Sequence, residues 1–326
     1  MTIKQKTIGG FFELELPSKG SLYHDGALAL ANGRVCFKVL LERIKPTKVY
    51  LPFYSCDSLI LPLLDAKIPY EFYAINRAFD PIGIPLLAES ELFVYINYFG
   101  LKTQTGYKLS RLLGQQLVMD NTHAFFEESY GISWAFNSVR KFFGVPDGGF
   151  LYSPQYLADN YAANEQIITQ HLWLGLFDKK DDASKFYQQN EAAQTLDIRG
   201  MSNITKQILY AVKFSDVARA RKKYFKLLDR VLRPFNQLPP SVLNPLTEAV
   251  PFCYPLLLTG TIDRTLFSER NIFIPDLWKE VLSRPTEGGY QLEKMMAQNL
   301  IALPIDHRLD DHDVQRMIEC VLKIAS

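Results

Sequence analysis

Val118-Met-Asp120-Asn-Thr-His123 is an apolar run that closes on an acid and is followed by a turn and a histidine. The run Leu117 to Asp120 predicts a buried strand, and open α/β sheets carry their ligand-binding groups at the carboxyl ends of such strands. Working outward, Leu92 to Asn97, Tyr70 to Ile75 and Val49 to Phe53 are further β-rich runs, each ending in a polar residue or a turn. Helical signals alternate with them. Asn32-Gly33 precedes a segment in which Val35, Cys36, Val39, Leu40 and Ile44 recur at helical spacing, so Asn32 is expected to be an N-cap. Ser55 to Asp65 can form a helix that Pro62 must kink or shorten. The alternation predicts an α/β layer fold around a mostly parallel sheet.

Downstream, Trp134 to Tyr152 is turn-rich, with Pro146-Asp-Gly-Gly149 leading into a strand over Phe150 to Tyr152. Helix is expected from Pro154 to about Leu232, including the Arg- and Lys-studded stretch Asp216 to Leu232, read as a solvated or subunit-facing surface. Arg233-Pro234 and Pro239-Pro240 punctuate the chain. A strand over Val250 to Leu258, a helix over Asp263 to Arg270, a buried run Leu300 to Pro304 and a closing helix from Asp310 to about Lys323 predict a smaller α+β domain. The expected organisation is a large domain over 1–234 and a small one over 235–326, with the first ~20 residues able to pack on the small domain.

Composition excludes several classes. The 326 residues carry 36 Lys plus Arg against 35 Asp plus Glu, so no net field favours nucleic acid or an anionic membrane. Met1 to Gly10 has charge but no apolar run behind it, unlike a secretory signal, and no apolar stretch nears the roughly 20 residues of a membrane span. Cys36, Cys56, Cys253 and Cys320 are scattered and read as core residues of a reducing compartment, so a cytoplasmic enzyme is expected. No GxGxxG follows the early strands, which sets aside a nicotinamide dehydrogenase. His24, His123, His171, His307 and His312 form no HExxH-like group, so no metal site is expected.

Four segments can carry chemistry. Lys141, in Ser138-Val-Arg-Lys141, is followed by Phe142-Phe-Gly144 and by Gly148-Gly149. A Schiff-base lysine needs a free amine near a carbonyl, favoured by burial or a neighbouring cation; Arg140 and the aromatic pair can supply either. An exposed loop lysine is the plainer alternative. Asp120 can hold a protonated pyridine nitrogen and His123 a phenolic oxygen, or they are a turn acid and a satisfied histidine. Ala31-Asn-Gly33-Arg34 opens a helix whose free N–H groups suit a phosphate, or is a plain cap. In Pro52-Phe-Tyr-Ser-Cys56 an aromatic ring can lie on a cofactor and Ser55 can reach an oxygen, or Phe53 and Tyr54 pack in the core.

In this order the segments resemble the DegT/DnrJ/EryC1 family of fold-type-I pyridoxal-phosphate enzymes, best known as sugar aminotransferases. Asn32-Gly33-Arg34 resembles the family's phosphate turn, and Val49 to Leu59 its strand-Pro-turn with the ring-stacking residue. Tyr95-Ile-Asn97-Tyr-Phe-Gly100 is similar to its extended segment ending in Gly, and Asp120 to His123 to its Asp-x-x-Gln/His. Lys141 to Gly149 looks like its Lys followed by Gly-Gly, Gly200 to Ile204 its Arg-Met-Ser/Asn segment, and Leu303-Pro-Ile-Asp306 its Leu-Pro-Ile/Leu signature. The resemblance covers almost the whole chain. It implies a large domain with a mixed, mostly parallel seven-stranded sheet, a smaller C-terminal α+β domain, and pyridoxal 5'-phosphate as cofactor.

By the same resemblance Lys141 is the Schiff-base lysine and proton shuttle, Asp120 holds the pyridinium and His123 the phenolic oxygen. Ser138 and the backbone of Gly33 and Arg34 grip the phosphate, Tyr54 covers the ring, and Ser55 and Asn97 complete the cofactor contacts. The reaction implied moves an amino group from an amino acid, commonly glutamate, to a keto sugar linked to a nucleotide, in a homodimer with its site at the subunit interface. Phe11 and Phe12 offer apolar surface for that partner. A dehydratase or lyase of the same family, and a non-catalytic regulatory protein keeping the fold, are the alternatives. The chain departs from the family in three places. It is shorter than typical members. Phe136 stands near where a phosphate-binding Ser often sits, which makes Ser138 a substitute. Asp197-Ile-Arg-Gly200 takes the place of the Asn-x-Arg segment, where Arg199 could serve the phosphate.

Overall fold

The computed structural model describes residues 16–17, 20–177, 179–246, 248–260, 262–286 and 288–325. Phe11, Phe12 and most of the first ~20 residues, expected to pack on the small domain or a partner, lie outside the described residues.

The strands are β1 (Leu28–Leu30), β2 (Lys48–Pro52), β3 (Tyr70–Tyr73), β4 (Glu91–Ile96), β5 (Leu117–Asp120), β6 (Trp134–Phe136), β7 (Gly149–Tyr152), β8 (Cys253–Leu257) and β9 (Leu300–Pro304). The first seven make one mixed sheet in the order β1-β7-β6-β5-β4-β2-β3. Neighbours from β3 across to β6 run parallel, while β7 is antiparallel to both β6 and β1. This is the mixed, mostly parallel seven-stranded sheet expected. Its central strands are apolar on both faces because helices cover both.

Helices α1 (Gly33–Ile44), α2 (Leu61–Asp65), α3 (Thr103–Leu113), α4 (Gln170–Leu176), α5 (Lys180–Ala192), α6 (Asn203–Ala211) and α7 (Phe214–Leu232) are followed by α8 (Pro240–Leu243), α9 (Thr265–Ser268), α10 (Glu280–Ser283), α11 (Gln291–Asn299) and α12 (Asp311–Ala325). The Asn32 side chain accepts from Val35 N at 2.9 Å, the N-cap its residue type predicts, and buries Val35, Cys36, Phe37, Val39, Leu40 and Leu41 on one stripe. Around Pro62 the expected single helix becomes a 3₁₀ turn (Asp57–Leu59) and then α2, with the proline in the first turn where its missing N–H costs nothing. Residues 154–169 hold no helix; that polar stretch makes an isolated bridge, Ala163 to Gly200. The three-residue strand β6 lies inside the stretch expected to be turn-rich before Phe150, and β1 has no counterpart among the expected strands.

Beyond Pro240, β8 and β9 pair antiparallel; α7 packs beside β8, and α12 packs on α7. Arg284, after α10, reaches back to the turn that follows β2. It donates to Phe53 O and, at 2.7 Å, to Ser55 O, and pairs with Asp57 at 2.6 Å. Its guanidinium also lies 5.1 Å from the Phe72 ring. Arg284→Met leaves two buried carbonyls without their donor, so unfolding free energy should fall by roughly 2–4 kcal/mol in a denaturant titration.

Candidate active site

Asp120 is the last residue of β5, paired in register with Ile96 on one side and Phe136 on the other. Its carboxylate is buried and accepts from Thr122 N at 2.8 Å. Burial pushes its pKa up to about 6, against the pull of the Thr122 donors and the Lys141 charge. His123 follows in the same turn. Its ring lies between Phe252 (centroids 4.4 Å apart, 9°) and Trp278 (5.5 Å, 10°), both contributed from beyond residue 240. Burial, then the Lys141 charge, holds its pKa well below the usual range, so the imidazole is neutral. Its Nδ1 is buried and has no partner, the kind of unpaired atom that native interiors reserve for a ligand or a water.

Lys141 ends a 3₁₀ turn over Val139–Lys141 and is exposed. The turn is closed by Val139 N donating to Gly148 O at 3.0 Å and Phe142 N to Val139 O at 3.0 Å. Its charge is felt by Asp120, His123, Cys56 and Glu191. The fold therefore brings two segments near one another: the Asp120–His123 turn, with a buried carboxyl and a neutral imidazole, and the Lys141 turn, whose charge reaches both. Ser138, half-buried in extended backbone, opens the lysine turn.

The start of α1 joins the same place. A Cβ on Gly33 would lie 3.2 Å from Asn137 O and 3.5 Å from Thr122 Cγ2, so the helix begins against both the Asp120 turn and the strand leading to Lys141. The Arg34 guanidinium, lowered in pKa by burial, feels Glu191, Arg140 and Cys56. Phe136 is buried and stacks on Phe37 (5.5 Å, 21°), so apolar packing fills the place near which the resemblance implies a serine hydroxyl. Gly149 keeps these parts close: a Cβ there would meet Asn137 O at 2.9 Å and the Asn32 carbonyl carbon at 2.9 Å. Gly149→Ala must push α1 away from the lysine strand, and a thermal melt should show a loss of about 1–3 kcal/mol.

Other expected contacts are engaged elsewhere. Tyr54 is fully buried, its hydroxyl donating to Leu277 O at 2.7 Å and its ring 5.0 Å from Trp278. Ser55 donates to Pro52 O at 2.8 Å. Asn97 donates to Thr103 Oγ1 (3.0 Å) and Tyr130 OH (2.9 Å) and accepts from Lys102 N (2.8 Å), fixing the entry to α3. Arg199 lines a cavity of about 230 Å³ with Asn32, Asn164, Gln194 and Asp197. The residues not foreseen are Phe252, Trp278 and Glu191; each reaches the site through tertiary packing, with no local motif to mark it.

No family model matches the sequence, and no curated protein matches it. Solved structures do match over nearly the whole chain. A DegT DnrJ EryC1 StrS aminotransferase from Brucella abortus is 13% identical, with a TM-score of 0.58 over 92% of this chain and 86% of its own. The sugar aminotransferase CalS13 from Micromonospora echinospora is 11% identical, with a TM-score of 0.59 over 91% of this chain and 87% of its own. NtdA from Bacillus subtilis, solved with bound cofactor PMP, is 13% identical, with a TM-score of 0.65 over 92% of this chain and 73% of its own. The chain has the fold of these aminotransferases.

Proposed function

We propose that this chain is a pyridoxal-phosphate-dependent aminotransferase that moves an amino group from an amino acid, glutamate, to a keto sugar linked to a nucleotide. The observation that carries the reading is the buried Asp120–His123 turn at the carboxyl end of β5, within reach of the Lys141 charge and with His123 Nδ1 buried and unpaired. The residues present fit the cofactor. Asp120 would hold its ring nitrogen, His123 Nδ1 its phenolic oxygen, Lys141 Nζ its aldehyde carbon, and the start of α1 its phosphate. When bound, the cofactor supplies the electron sink that lets the substrate carbon give up a proton.

The protein's own groups do the rest. Asp120, ionised, keeps the ring nitrogen protonated. The neutral imidazole of His123, clamped between Phe252 and Trp278, orients the ring and adds no charge. Lys141 Nζ would take the proton from the substrate carbon and hold it for return. The same reading makes the protein a homodimer, supported by the exposed Trp173, Leu176 and Phe177 around α4. It also makes it cytoplasmic, supported by four free cysteines. Among the described residues no helix is long and apolar enough to cross a membrane.

The test is spectroscopic. Purified protein given pyridoxal phosphate should gain visible absorbance, lose it on adding glutamate, and regain it on adding a nucleotide-linked keto sugar. A band indifferent to glutamate would remove that donor. A band that glutamate bleaches and no keto sugar restores would remove the acceptor class.

A further inference from the structure

Beside the lysine turn, cations from two elements surround a single carboxylate. Arg140 pairs with Glu191 of α5, and its Nε is buried without a partner. The guanidinium carbon lies 5.8 Å from the Tyr187 ring centre. The end of α5 is pinned from two directions. Asn190 and Gln194 both donate to Pro146 O, at 2.9 and 3.3 Å, and the Asn32 cap donates to Gln194 Oε1 at 3.2 Å. Glu191 is thereby held over the junction of the α1 start and the Val139–Lys141 turn. Arg34, the second residue of α1, feels both Glu191 and Arg140, and the Lys141 charge also reaches Glu191. Arg34, Arg140 and Lys141 thus stand against Glu191 and, on the far side of the lysine turn, Asp120: three positive charges to two negative. An excess of positive charge in a half-buried place favours an anion with more charge than a carboxylate.

We propose that Arg34 and Arg140 form the seat of a phosphate monoester dianion, and that Glu191 is a placeholder which the dianion displaces. The inference rests on the reading above, in that the phosphate is assigned to the cofactor held at Lys141. It also accounts for Phe136: where packing with Phe37 replaces a hydroxyl donor, two guanidinium forks take over the oxygens, with the N-terminal amides of the twelve-residue α1 behind them. His171, which feels both Arg140 and Glu191, meets the Tyr187 ring edge-on (5.8 Å, 74°) beside the seat.

The sign of one substitution separates this role from a structural ion pair. Cofactor-free, full-length protein is titrated with inorganic phosphate by calorimetry, with the phosphate-free thermal midpoint as the control for folding. Arg34→Met and Arg140→Lys should each weaken phosphate roughly tenfold or more. Glu191→Gln, which removes the competing charge and keeps the shape, should tighten it severalfold. A Glu191→Gln variant that binds phosphate more weakly, alongside Arg140→Lys, makes the pair a structural clamp and overturns the proposal. So does a wild type that binds no phosphate. Pyridoxal and its phosphate then separate the two readings. If the arginine variants leave the preference for the phosphate ester unchanged while the visible band still forms, the seat is wrong and the cofactor assignment survives. If phosphate binds with the expected pattern and no visible band forms, the seat survives and the cofactor assignment does not. Phosphate that still binds to cofactor-loaded protein would overturn its assignment to the cofactor.

Discussion

Lys141→Ala should leave a folded protein that gains no visible absorbance with pyridoxal phosphate and turns over glutamate slower by roughly four orders of magnitude or more. Two roles end with one amine: the covalent hold on the aldehyde carbon and the carriage of the proton. The fold should survive. The side chain is exposed at the end of its turn, and the bonds that close the turn are backbone bonds from Val139 and Phe142, so stability should move by only about 0.5 kcal/mol. Lys141→Arg is the informative companion, because it keeps the positive charge that acts on Asp120 and His123 while removing the nucleophile. If arginine restores turnover, the residue acts through its field alone and the covalent role is lost. If alanine keeps the visible band, another amine carries the cofactor.

The parts of this site that sequence alone makes readable are those specified by neighbours in the chain. Asn32 caps α1 because a side-chain oxygen at that position finds the Val35 amide whatever the tertiary surroundings. Asp120 closes an apolar run at the edge of a parallel sheet, and register with β4 and β6 puts it at the carboxyl rim. Residues whose role depends on distant packing give no such signal. Tyr54 and Phe53 occupy a turn where an aromatic ring can face a ligand or the core; Tyr54 turns to the core because Leu277, far along the chain, offers its carbonyl. Phe252 and Trp278 come from segments next to β8 and α10, far from His123 in sequence, and enclose it only through the tertiary fold. Glu191 is one acid on a polar helix until α5 folds over the start of α1. The strands β1 and β6 are three residues each, too short for a period-two pattern to emerge.

Asp120→Asn should separate stability from catalysis, in opposite directions. In the cofactor-free protein the buried carboxyl has its pKa moved from 3.8 up to about 6. The native state therefore holds this proton more tightly than the unfolded chain does, and ionising Asp120 costs the fold about 3 kcal/mol. That cost is fully present above pH ~6, shrinks as the pH falls through that value, and vanishes near pH ~4, where the unfolded carboxyl also protonates. Asparagine keeps an oxygen for the Thr122 amide and carries no charge. Cofactor-free Asp120→Asn should therefore melt higher than wild type at pH 8, by up to about 3 kcal/mol, and coincide with it near pH 4. Turnover should fall roughly a hundred- to thousandfold, because an amide cannot hold the ring nitrogen in its protonated form. Cofactor binding should reverse the order of stabilities at pH 8: a pyridinium pairs with the buried carboxylate of the wild type and finds no counter-charge in the variant. Melting curves of both proteins, with and without cofactor, at pH 8 and pH 4, check each sign. A wild type that outlasts the variant at pH 8 without cofactor would mean that the carboxylate already has a partner in the empty site, and the pairing proposed for the ring nitrogen would lose its driving force.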